Sequence, residues 1–171
     1  ADFDDVNHSL SSHAVQSCWA RSDWDVCTAN QNGPYYDIWA LRHKLWSPND
    51  CWETVRFLVG YGVDPSRAMQ TAVFSRMIKI KQGSSWIEVD SAFGGLAIYK
   101  STCLQNAYYS GISNTGYEIC EHVSVHKFIK SNGGRIFINP NLINTEVSTH
   151  VSKVSSWNYL KSGFGVFIRE Y

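Results

Sequence analysis

The chain has little charge of either sign and no long apolar run, and both shortages exclude something. Lysine plus arginine number 15 against 15 aspartate plus glutamate, and charged residues make up 18% of the sequence. No global field therefore draws the protein to nucleic acid or to an anionic membrane. No stretch approaches the roughly 18 apolar residues that span a bilayer, and the acidic opening does not read as the basic start of a signal peptide. A soluble, cytoplasmic protein is expected. The five cysteines, Cys18, Cys27, Cys51, Cys103 and Cys120, include no C-x-x-C pair, which argues against a zinc knuckle or a dense disulfide scaffold and for reduced core thiols. Internal repeats and low-complexity tracts are also missing.

What the chain does have is apolar and aromatic mass. Its 171 residues suit one domain, and 44% hydrophobic content is globular. Seven Trp, nine Tyr and eight Phe bring aromatics to 14%, enough both to fill a core and to offer faces on which sugar rings stack.

Periodicity divides the chain into alternating signals. Leu10, Ala14 and Cys18, with Val15 and Trp19, predict a helix over residues 8–21 capped by Asn7 or Ser9. Val26 to Ala29 reads as a strand, residues 30–34 as a turn, and Tyr35 to Leu41 as a further extended segment. Asp50 is placed to cap a helix, and Asp64-Pro65 to start another that runs to about Met77. Trp86 to Asp90 alternates like a strand. The apolar segment from Ala92 to Tyr99 holds a glycine pair, Gly94-Gly95, where another group can approach the backbone closely. A helix from Glu118 to Ile129 should stop near Gly133-Gly134, before a strand from Arg135 to Asn139. Strands alternating with helices predict an α/β layer architecture.

Three constellations carry chemistry. In Ala1-Asp2-Phe3-Asp4-Asp5 the alternation of a strand puts Asp2 and Asp4 on one face, able to share a divalent cation; a solvated helix-capping turn would look the same. Glu118, His122 and His126 fall four apart on the predicted last helix, with Glu121 beside them. They suit either a zinc site on the H-x-x-x-H pair or an acidic first turn in which one carboxylate serves as general base. Tyr35, Tyr36, Asp37, Trp39 and Arg42 combine apolar faces with polar tips, as a sugar site does, though a core strand would also contain them.

Taken in order, DFDDVN, ANQNGPYYDIWALR, VDSAFGGLAIYK, YEICEHV and GGRIFINP resemble a glycosyltransferase of the GT-A type, over residues 1–144. The resemblance implies a GT-A-like mixed sheet flanked by helices and a nucleotide-sugar donor held through Mn2+ or Mg2+ on Asp2 and Asp4. It implies a glycan or other hydroxyl acceptor, with Glu121, or Glu118, as the activating carboxylate. Phe93, Gly94 and Gly95 would form the ledge under the sugars, and Tyr35, Tyr36, Asp37, Trp39, Arg42, Asp90 and His122 the substrate surround. Because the D-x-D begins at residue 2, the half of that fold that reads base and ribose is expected ahead of this sequence, which makes the chain a single acceptor-side catalytic domain. Two other functions fit the residues without the resemblance: a noncatalytic carbohydrate-binding module, or a zinc hydrolase built on His122 and His126.

Overall fold

The longest strand, β4 (Ile136–Thr145), runs parallel to β1 (Val26–Gln31) at the centre of a four-stranded sheet ordered β2-β4-β1-β3. The computed structural model describes residues 1–3, 6–113 and 116–146. The outer strands β2 (Ile87–Val89) and β3 (Ala97–Tyr99) lie antiparallel to their neighbours. With α1 (Ser12–Gln16), α2 (Cys51–Gly60), α3 (Pro65–Ala72) and α4 (Glu121–Ser131) flanking it, the sheet makes an α/β architecture.

All six residues of β1 are buried, so both faces of the sheet centre are covered. Alternation sorts them. Val26 joins Ile136, Ile138, Val125 and Ile129 in a core under α4, α2 and α3, whereas Cys27 and Ala29 join Phe137, Leu142, Ala14 and Trp24 in a second core under α1. β4 passes through Pro140 although it is a central strand. Its pairing explains this: Thr28 faces Ile138 but Asn30 faces Ile143, so β4 bulges around the proline. The buried Asn30 amide donates to the Pro140 and Ile80 carbonyls and fills the gap.

Locally encoded boundaries are found where expected. The Asp50 carboxylate accepts from the Trp52 and Glu53 N–H groups and starts α2, and Asp64 accepts from Arg67 N–H and starts α3. Besides β4, which runs on through Pro140 to Thr145 where a strand ending at Asn139 is expected, four segments differ from the sequence reading. α1 begins at Ser12 under a Ser11 cap and tightens into a 3-10 turn over Ser17–Ala20, because residues 6–9 form turns in which the Asn7 amide holds the Asp2 and Gly95 carbonyls. Tyr35 to Leu41 is not a strand. Asp37 pulls that backbone out of any ladder by accepting from Ala40 N–H and from Gly94 N–H. α3 stops at Ala72, and the chain continues to Arg76 as a short 3-10 turn. Finally α4 starts at Glu121, since residue 118 bridges to Ile112 instead.

Candidate functional site

The parallel pair β1 and β4 ends in polar residues that are fully buried, among them Gln31, Asn144 and Thr145. Buried amides need partners, and here the partners are two consecutive glycine carbonyls. Gly94 O accepts from Gln31 Nε2 at 3.0 Å and from Asn144 Nδ2 at 2.8 Å. Gly95 O accepts from Asp2 N–H at 2.8 Å and from Asn7 Nδ2 at 3.0 Å. Asn144 Nδ2 also reaches Asn7 Oδ1 at 2.9 Å, which closes the net.

The glycines permit this because nothing else fits. Both have positive φ, +68° and +85°. A Cβ on Gly94 would meet Ala29 O at 2.9 Å, and one on Gly95 would meet Val6 Cγ2 at 2.6 Å and the Tyr36 hydroxyl at 2.9 Å. The close approach expected at the glycine pair is thus real, and what approaches is the opening segment of the chain.

The residue before this turn carries the other half of the site. Phe93 stacks face to face on His122, with centroids 3.7 Å apart and planes 16° from parallel, and Tyr109 meets the same imidazole edge-on at 5.7 Å. His122 Nε2 lies 3.5 Å from Glu121 Oε1, whose side chain is 47% exposed at the start of α4. Asp37 faces both electrostatically while its carboxylate caps the Gly94 and Ala40 amides. Burial holds the His122 pKa below its ordinary value; the Glu121 and Asp37 carboxylates oppose this, and the Ala1 amino group reinforces it. The imidazole is therefore neutral at pH 7. Burial raises the Asp37 pKa, against the two backbone N–H groups it accepts from.

No protein-family model, curated protein or solved structure matches the chain. The site stands on its own chemistry.

Of the residues singled out in the sequence, Tyr36, Asp37, Phe93, Gly94, Gly95, Glu121 and His122 converge here, joined by the backbone of Asp2. Asp2 itself is exposed, while Asp4 lies outside the described residues. Others play structural parts. Tyr35 is fully buried in the main core, edge-on to Trp46, and Trp39 packs between two core clusters. Arg42 binds the Trp39 and Leu41 carbonyls and forms a 2.6 Å ion pair with Asp50, so it braces the start of α2. Asp90 pairs with Lys130 at 3.7 Å, toward the opposite end of α4 from Glu121. Glu118 is exposed and precedes the helix, so the predicted shared face of Glu118, His122 and His126 does not form.

The histidine pair is not arranged for zinc. His126 is fully buried with both nitrogens engaged, Nδ1 with Ser91 Oγ and Nε2 with the Tyr99 hydroxyl, each at 2.9 Å. Among the described residues no group of three or more His, Cys, Asp or Glu is placed to hold a metal ion. Of the proposed cation pair, Asp2 is exposed and its backbone N–H is held by the Gly95 carbonyl.

Sequence reasoning took Asn7 only as a helix cap, included Gln31 only within the polar-amide stretch before Tyr35, and missed Asn144 and Tyr109. The only available signal was polar amides ending otherwise apolar strands, in N-Q at 30–31 and I-N-T at 143–145. Two open cavities, of about 420 and 360 Å³, lie apart from this cluster, one by Cys103 and Asn132 and one by Trp19 and Lys100. Among the described residues, no helix is long and apolar enough to cross a membrane.

Proposed function

We propose that the protein is a metal-dependent glycosyltransferase, moving a sugar from a nucleotide-sugar donor to a glycan or other hydroxyl acceptor. The observation that carries this reading is the gathering of Glu121, His122, Asp37 and the Asp2 segment around Gly94-Gly95, at the carboxyl ends of two parallel strands. Ligands of α/β sheets favour that edge.

Glycosyl transfer requires a group that takes the acceptor's proton as the hydroxyl attacks, and a counter-charge for the departing diphosphate. Glu121 suits the role of base because its carboxylate is half exposed, it heads a helix, and its neighbour His122 is a neutral imidazole that does not neutralise it. Phe93 and Tyr109 fix the imidazole from its face and its edge, which fixes the carboxylate's neighbour. Tyr109, with 55% of its surface exposed, offers a ring to a sugar next to that carboxylate. A manganese or magnesium ion on Asp2 and Asp4 would supply the counter-charge.

The test is a panel of nucleotide sugars and glycan acceptors given to the protein, with and without manganese, reading released nucleoside diphosphate. Manganese-dependent release that Asp2→Asn abolishes is expected. Glycan binding with no release from any donor overturns the proposal in favour of a binding module.

A further inference from the structure

We propose that Cys18 and Cys27 are the two halves of a disulfide, closed by exchange with a small-molecule disulfide such as oxidised glutathione. Their sulfurs lie 3.2 Å apart and both residues are 0% exposed. Cys18 sits in the 3-10 turn after α1 and Cys27 is the second residue of β1, so the contact joins the helical layer to the sheet centre within one apolar cluster. The other thiols are placed differently: Cys51 and Cys120 belong to other clusters, and Cys103 donates to the Asp25 carbonyl. A disulfide needs a sulfur separation of about 2.05 Å, so closing the bond asks for a movement of roughly 1.2 Å, small for a short turn.

In the docked turn the two thiols are held differently. Cys27 Sγ–H donates to Cys18 Sγ, and Asn139 Nδ2 points at the same sulfur from 3.7 Å. Two donors on one sulfur favour its thiolate, and the Cys18 pKa is accordingly lowered while that of Cys27 is raised. With the turn undocked, the thiolate of one cysteine, written here as Cys18, attacks one sulfur of oxidised glutathione and expels glutathione thiolate, leaving a mixed disulfide on that cysteine. Cys27 gives its proton to the departing thiolate and attacks the Cys18 sulfur, which releases the second glutathione. Two protein thiols are oxidised and one glutathione disulfide is reduced to two thiols.

Because neither sulfur is exposed, exchange takes place before the turn docks or when it lifts. Trp24 is the latch, with its indole N–H shared between the Cys18 and Arg21 carbonyls at 2.8 and 2.9 Å.

The experiment refolds the chain from denaturant in glutathione buffers of increasing oxidised fraction, quenches in acid, and counts thiols in denaturant. Five free thiols in the reducing buffer should fall to three in the oxidising one, with mass spectrometry of the unreduced digest joining the peptides of Cys18 and Cys27. Cys51→Ala must still lose two thiols, and Cys27→Ala must form no internal disulfide. Five thiols persisting in every buffer, or a different pair joined, overturns the proposal.

Discussion

The imidazole of His122 lies flat on the ring of Phe93, 3.7 Å between centroids, and this stack joins the first turn of α4 to the glycine turn. Burial is the main cause of the lowered His122 pKa, and the Phe93 ring covers one face of the imidazole. Phe93→Leu opens the face to water while keeping an apolar side chain. The His122 pKa should therefore rise toward its ordinary value, read by NMR titration, and the protein should lose about 1 kcal/mol for the lost ring pair. A pKa that stays where it was would mean that the Phe93 ring is not what desolvates the imidazole.

Gly95 and Gly62 share the same backbone angle, φ +85°, in different surroundings. Around Gly62 an added Cβ meets nothing within 4 Å, whereas at Gly95 it meets Val6 Cγ2 at 2.6 Å. Gly62→Ala should cost about 1–2 kcal/mol, the left-handed strain alone. Gly95→Ala adds displacement of the opening segment and should cost roughly 3 kcal/mol in urea unfolding. Equal costs would show that the segment yields freely and does not depend on the glycine.

How much of this was legible follows from how far apart the partners are. Asp50 and Asp64 announce their helices because a cap bonds within three residues of itself. Gly94-Gly95 announces a close approach because only glycine tolerates one. Asp37 misled, since the group that pulls its backbone out of line, Gly94 N–H, is 57 positions away. Glu118 misled for a similar reason: helical spacing continues through residue 118, and only its bridge to Ile112 moves the helix start to Glu121. The amide net could be read only as polar residues at strand ends, not as a set of partners. Asn7 and Asn144 stand 137 positions apart, and nothing local distinguishes either from a surface asparagine.

His126 makes stability depend on acid. Its pKa is held at about 3 by burial, with His122 adding a smaller repulsion. The unfolded chain binds a proton there near pH 6.5 and the folded protein does not until about pH 3, so the unfolded state carries more protons between these values. The His126 contribution is thus fully present above about pH 6.5 and is lost as pH falls toward 3. The raised Asp37 pKa acts in the opposite sense: its contribution is present below the ordinary aspartate value and is lost as pH rises through the folded one. Urea unfolding from pH 7 to pH 4 should show a fall in stability that is shallower in His126→Gln. An unchanged slope in the variant would remove His126 as its source.

The assignment of Glu121 over Glu118 turns on one geometric difference. Glu121 heads α4 with His122 Nε2 at 3.5 Å, while Glu118 is exposed on the bridge before the helix. If Glu121 takes the acceptor's proton, Glu121→Gln removes the base but keeps the shape. Transfer to acceptor should fall at least about a hundredfold with donor affinity nearly unchanged, whereas Glu118→Gln should retain most activity. The measurement is kcat with saturating acceptor, beside donor binding by calorimetry in the same variants. Full activity in Glu121→Gln with loss in Glu118→Gln would reverse the assignment and require the residue 112–118 bridge to open during turnover. Loss of donor binding in Glu121→Gln would instead make that carboxylate part of the donor seat.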